Sequence, residues 1–174
     1  MQKTVTIFVL IIIAFAITPF ALAEKPVDLS GENWYGKDIK HFDLRFANLT
    51  YTNLRGADLE GVDLSGADMR YANLYNANLD GANLTNTNLS SANMFRTYLR
   101  SADLSNATLN SVNFYLADLT SANLTNADLR KANLFMANFA STDLKNANLT
   151  DAGTGKTNLN DCINHPICKW SITR

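Results

Sequence analysis

Asp and Asn recur in this 174-residue chain at a fixed interval of five, from Asp38 to Asn148 with few exceptions. Carboxylates in such number could serve as paired acids and bases. Because they hold one position of a repeating unit and alternate with Asn, they read instead as turn or ladder chemistry. The other groups with reactive or ligating potential are two His, His41 and His165, and two Cys, Cys162 and Cys168. A nucleophile or general base needs a partner within hydrogen-bond reach and a pocket that shifts its pKa, and the sequence places no nucleophile beside His41. The run Gly153-Thr154-Gly155-Lys156-Thr157 resembles the end of a phosphate-binding loop, but the first Gly of that motif would fall at Thr150. Asn48-Leu49-Thr50 and Asn83-Leu84-Thr85 match glycosylation sequons, yet the repeat generates such triplets automatically. No catalytic, cofactor-binding or metal-binding residue is assigned, and enzyme activity is not expected.

The elements that carry these groups follow from the same interval. Every fifth residue from Ile39 to Leu149 is large and apolar: of 23 positions, 18 are Leu, and Met69, Met94, Phe114, Phe139 and Ile39 fill the rest. Two residues earlier stands Ala in 15 units, and Thr or Val in most others. A period of five suits neither a helix, which needs about 3.6, nor a flat strand, which needs two. The chain must therefore turn at every unit. With the small residue and the Leu both inward, each unit supplies one short extended side and one corner, and four sides close a coil of twenty residues. Coils spaced about 4.8 Å apart would set each Leu against the Leu twenty residues on. The small companion is then a volume requirement, since two large side chains per side would overfill so narrow a section.

Runs such as Ala57-Asp58-Leu59-Glu60-Gly61 and Ala122-Asn123-Leu124-Thr125-Asn126 resemble the pentapeptide repeat family, over about two thirds of the chain. The resemblance implies an all-β fold, a right-handed quadrilateral β-helix. It implies no single activity.

Four segments are expected. Residues 1–23 read as a signal peptide: Lys3, an apolar run from Ile7 to Ile17, then Thr18-Pro19 and Ala21-Leu22-Ala23. The apolar stretch falls short of the roughly 20 residues of a membrane span, so export without a membrane anchor is expected, to a periplasm, to the medium, or to a thylakoid lumen in a phototroph. Residues 24–36 form an N-terminal cap and first imperfect coil, 37–151 the solenoid, and 152–174 a C-terminal cap, because terminal coils of repeat stacks need covering. In an oxidising compartment Cys162 and Cys168 are expected to be disulfide-bonded, with Ile163, Ile167 and Trp170 available to cover the last coil. The alternative, a metal site of Cys162, His165 and Cys168, lacks an evident fourth ligand.

Taking every twentieth position separates the sides of the square. The residue after the Leu on one side reads Tyr35, Arg55, Tyr75, Phe95, Tyr115, Phe135, and the next outward position continues with Arg96, Leu116 and Met136. A neighbouring side reads Arg45, Ser65, Thr85, Ser105, Thr125, Lys145. Stacked rings could serve only as a stabilising ladder, at roughly 0.2–1 kcal/mol per pair. An exposed ring row is also a contact surface, for a second copy of the chain, for another protein, or for the chain's own tail through Trp170.

The expectation is therefore an exported, non-enzymatic protein-binding or scaffold module, without cofactor or nucleic acid, whose partner the sequence does not name. The rival reading comes from the resemblance, since some members of the family imitate DNA and protect type II topoisomerases. Duplex DNA carries about one charge per 1.7 Å, so a stack of roughly six coils, near 28 Å, would need on the order of 16 negative charges. Residues 37–151 hold 12 acidic and 10 basic residues, a net charge of −2.

Overall fold

The computed structural model describes residues 26–173, so the expected signal peptide lies outside the described residues. The chain is a right-handed quadrilateral β-helix in which each isolated parallel β-bridge joins residue i to residue i+20, from Asp28–Asn48 to Asp143–Ile163. Four walls result. Wall 1 carries Leu29, Leu49 and every twentieth residue after them; wall 2 begins at Trp34, wall 3 at Ile39 and wall 4 at Leu44.

One unit shows why five residues suffice. In 72–76, Ala72 N–H donates to the Met69 carbonyl (3.1 Å) and closes the corner, while Asn73 N–H reaches Thr52 (2.9 Å) in the preceding coil. Leu74 and Asn76 N–H groups reach Asn93 (2.8 Å) and Phe95 (3.0 Å) in the following one. The fifth, Tyr75 N–H, has no carbonyl to meet and donates to the Asn73 side-chain Oδ1 at 3.3 Å. Every amide is thus satisfied, as buried or half-buried backbone requires. The Asp or Asn before each Leu is the side chain that completes the count.

These side chains also run between coils, and their order is not free. Asn Nδ2 donates to the Oδ1 twenty residues earlier, as in Asn48 to Asp28 (3.0 Å), Asn83 to Asp63 (3.0 Å) and Asn123 to Asp103 (3.1 Å). Asp accepts but cannot donate. In three places where Asp stands over another acceptor a cation joins it: Lys40 on Asp58 above Asp38 (2.6 Å), Arg70 on Asp68 above Asn48 (2.7 Å), Arg130 on Asp128 above Thr108 (2.7 Å); Asp103 above Asn83 and Asp143 above Asn123 have none among the described residues.

The inward Leu, Met and Phe side chains of the solenoid from Leu44 to Leu144 are at most 1% exposed, with Ala, Val or Thr filling the companion positions. The inward threonines keep their hydroxyls bonded, Thr97 Oγ1 to the Leu74 carbonyl at 3.0 Å and Thr142 Oγ1 to the Leu119 carbonyl at 2.9 Å. In the first coil Trp34 and Phe42, at 5.6 Å edge to face, supply the bulk.

At the other end the coil backbone outlasts the leucine beat. Gly153 pairs with Asn133, Asn158 with Asn138 and Ile163 with Asp143, because the preceding coil offers its backbone whatever side chain follows. Cys162 takes the inward small-residue position and is bonded to Cys168, Cα to Cα 5.4 Å. The 3₁₀ helix Pro166–Thr173 follows. Ile167 packs against the core. Ile163 does not cover it as expected: the register gives it an outward position, 50% exposed. The side chain of Trp170 lies outside the described side chains.

Candidate functional site

Wall 2 gathers the flank singled out above. Tyr75, Phe95, Tyr115 and Phe135 stack nearly parallel, with centroids 5.2, 5.2 and 5.7 Å apart. The row is continued by cations. Arg55 lies over the rings of Tyr35 (5.8 Å) and Tyr75 (5.0 Å), and Lys156 Nζ lies 5.8 Å from the Phe135 centroid. Gly155 holds the next position of the row, where an added Cβ would meet Phe135 ring carbons at 2.9 and 3.1 Å. The rings are half-buried rather than bare, since each covers the face of the next, and Tyr35 is the exposed end at 60%. Beside them runs an Asn column: Asn53, Asn93, Asn113 and Asn133 each donate to the Asn one coil earlier at 2.9–3.2 Å. An unbroken Asn column needs no cation to neutralise stacked carboxylates.

The corner after wall 2 is the second feature. Most corner residues of the solenoid have φ near +58°; Gly and Asn, which suit the left-handed region, and Ser fill the majority of them. Arg96 (φ 56°), Leu116 (φ 58°), Met136 (φ 57°) and Lys156 (φ 56°) occupy it after wall 2. Left-handed backbone costs an ordinary residue about 1–2 kcal/mol. Arg96 lies 5.7 Å over the Phe95 ring, and Tyr115 Oη contacts Met136 Sδ at 3.7 Å. Phe46, Tyr51, Tyr71 and Lys131 take the same backbone at other corners.

Sequence sorting missed the neighbours of this row. Tyr51 and Tyr71, 66% and 51% exposed, stack at 4.9 Å on the corner before wall 2. Tyr98, 43% exposed, stands just past the corner after it, with Arg100 over its ring. All six tyrosines of the chain thus lie on wall 2 or beside its corners. Tyr98 replaces the Asn or Asp that would accept the amide two residues on, and Arg100 N–H turns to Asp80 Oδ1 of the preceding coil at 2.8 Å. Extending the sort to every outward position would have shown the bias.

The remaining candidates are not brought together as sites. Asn48 and Asn83 of the sequons spend their amides in the ladders. Gly153 to Thr157 follows the coil, with Thr157 N–H turned back to the Thr154 carbonyl at 3.2 Å. Both Cys are consumed by the disulfide, and His165 Nδ1 accepts the Ile167 N–H at 3.2 Å. Burial holds the His165 pKa below its ordinary value, opposed by a backbone hydrogen bond to Ala147. Among the described residues no group of three or more His, Cys, Asp and Glu could hold a metal ion. Nor is any helix among them long and apolar enough to cross a membrane.

The sequence model of the pentapeptide repeats matches in eight copies, over residues 43–80, 67–106, 97–134 and 113–152. Among solved structures the chain is similar to HetL, a pentapeptide repeat protein involved in heterocyst differentiation regulation from the cyanobacterium Nostoc, at 24% identity over 78% of this chain and 86% of that one, with a TM-score of 0.34. A pentapeptide repeat protein from the Arabidopsis thaliana thylakoid lumen is 22% identical over 90% and 82% of the two chains, TM-score 0.29. Full-length QnrB1, a plasmid-mediated fluoroquinolone resistance protein, is 17% identical over 85% and 97%, TM-score 0.30. At these identities and scores none of the three bears on function. No curated protein sequence matches the chain.

Proposed function

This chain belongs to the pentapeptide repeat family, and from that premise we propose that it is an exported, non-enzymatic binding or scaffold module that holds a protein partner on wall 2. The observation that supports this reading is the continuous ring row of wall 2, with large side chains on the corners to either side of it. Arg96, Leu116 and Met136 hold left-handed positions on one side of a continuous ring row and Tyr51, Tyr71 and Lys131 on the other, while Phe46 takes the same backbone away from it. Ladder stabilisation accounts for the stacked faces of Tyr75, Phe95, Tyr115 and Phe135 and for the Tyr51–Tyr71 pair, but not for the gathering of all six tyrosines on or beside one wall.

Export rests on residues 1–23, and the disulfide between Cys162 and Cys168 suits an oxidising compartment; a periplasm, the medium and a thylakoid lumen all fit. Topoisomerase protection by DNA mimicry is disfavoured by charge, since the arginines of walls 1, 3 and 4 neutralise carboxylates, as Arg45 does Asp43 at 2.6 Å and Arg70 does Asp68 at 2.7 Å. The test is capture from the native exported fraction with the mature chain and with Phe95→Ser/Tyr115→Ser. Loss of a specific partner by the variant, with an unchanged circular dichroism spectrum, is expected. Equal capture by both, together with equal mass in solution, would remove wall 2 from the account.

A further inference from the structure

Charge divides among the walls as unevenly as the tyrosines do. From Asn33 to Lys156 the outward positions of wall 2 hold three cations, Arg55, Arg96 and Lys156, and no carboxylate. Over the same span wall 3 holds two cations and five acids, wall 4 two and four, wall 1 three and three. The other four arginines among the described residues, Arg45, Arg70, Arg100 and Arg130, each form an ion pair with an Asp. Arg55 and Arg96 have no carboxylate partner among the described residues and rest on rings instead, as does Lys156. A guanidinium or ammonium held over a ring keeps its full charge for an incoming anion.

We infer that the occupant of wall 2 is an extended, acidic polypeptide segment lying along the solenoid axis, its carboxylates on Arg55, Arg96 and Lys156 and its apolar side chains against the ring row, Leu116 and Met136. This rests on the reading of wall 2 as a protein-contact surface and adds the chemistry of the partner. Self-pairing of wall 2 would set three cations against three. A bilayer would require apolar groups that project, whereas these rings are half-buried with their faces spent on one another. The spacing is specific. Arg55 and Arg96 stand two coils apart, about 10 Å, and Arg96 and Lys156 three coils, about 14 Å, at the usual strand separation. At about 3.3 Å per residue of extended chain, the matching carboxylates are roughly three and then four residues apart.

The test is fluorescence anisotropy with a labelled peptide of Leu, Val, Ser and Gly carrying Asp at those separations, and with its counterpart bearing Lys in place of Asp. The mature chain is expected to bind the Asp peptide, more weakly as salt rises, and to ignore the Lys peptide. Arg55→Gln/Arg96→Gln/Lys156→Gln is expected to weaken binding about tenfold, three partly screened charges acting together, while Arg100→Gln on wall 3 leaves it unchanged. Equal binding of both peptides, or no effect of the triple variant and of salt, overturns the inference. Stronger association with phosphatidylglycerol vesicles than with the Asp peptide overturns it in favour of a lipid surface. If neither peptide binds but Phe95→Ser/Tyr115→Ser still abolishes native capture, the acidic occupant fails and wall 2 stands; if that variant captures normally, both fail.

Discussion

Asn93→Asp changes one atom in the middle of the wall 2 column and should be costly, whereas Asn33→Asp at its foot should cost nothing. Asn93 Oδ1 accepts from Phe95 N–H (3.3 Å) and Asn113 Nδ2 (3.2 Å), and either residue type can do that. Its Nδ2 donates to Asn73 Oδ1 at 3.2 Å, and a carboxylate would replace that donor with a charged acceptor facing another acceptor. Losing the hydrogen bond costs about 0.5–1.5 kcal/mol, and repulsion at this half-buried position brings the total to about 1–2 kcal/mol. With a urea m-value of about 2 kcal/mol/M, the midpoint should fall by about 0.5–1 M. Asn33 accepts from Tyr35 N–H (3.2 Å) and Asn53 Nδ2 (2.9 Å) and donates to no ladder partner among the described residues. There a carboxylate only strengthens the bond it receives. The Asn93→Asp deficit should also depend on pH. Repulsion raises the folded pKa of the new carboxyl above its unfolded value of about 3.9, so the deficit is full above the folded pKa, shrinks as pH falls through it, and is gone below the unfolded value. Urea titrations followed by circular dichroism at neutral and acid pH measure all of this. Equal midpoint shifts for the two variants would refute the donor-direction account of the ladders.

Three further outcomes follow from the packing and the ion pairs. Leu104→Ala, in a fully buried position, should destabilise by about 3–5 kcal/mol, and Leu159→Ala in the partly buried last coil by less than half of that, measured as thermal midpoints. Gly66→Ala should be destabilising by about 1–2 kcal/mol, because Gly66 has φ +68° and the new Cβ, 2.5 and 2.6 Å from ring atoms of Phe46, must push that exposed ring aside. Adding Phe46→Ala should recover the contact share and leave a left-handed backbone cost of about 1 kcal/mol; no recovery would place the penalty elsewhere. Asp43, Asp58, Asp68 and Asp128 are held below the ordinary carboxylate range chiefly by hydrogen bonds from Arg45, Lys40, Arg70 and Arg130. Their stabilisation is present above the unfolded pKa, near 4, and is lost as pH falls through the lower folded values. Because the pairs are solvent-exposed, the loss should be shallow, and a cooperative collapse at pH 4 would contradict it.

The coil was legible because its cause is local: a small residue and Leu five apart can point inward together only if the chain turns after each pair. Family resemblance supplied the right-handed sense that spacing could not. The ring row was legible for the same reason, since Tyr75, Phe95, Tyr115 and Phe135 stand twenty apart. Two things were not. Asp and Asn looked interchangeable in sequence, and the difference between them shows only once Nδ2 is seen to point toward the earlier coil. The left-handed backbone of Arg96, Leu116 and Met136 was also hidden, because the φ of the corners is a property of the closed square rather than of any pentapeptide. The end of the coil was obscured by composition: Gly153 and Asn158 carry no Leu signal, yet their backbone is held by Asn133 and Asn138.

Because bridges join residues twenty apart while the turn recurs every five, the chain keeps two calendars. An insertion of one whole unit would leave the tower standing, since any unit can follow any other, but would advance every later residue by a quarter revolution. Phe95 would then no longer meet Tyr115, and the cationic and acidic faces would be spliced together at the insertion. Length can therefore drift in steps of five at little structural penalty, whereas a surface assembled from several storeys survives only changes of twenty. Lengths of natural insertions in such towers are a record of whether selection has been guarding the building or its façade.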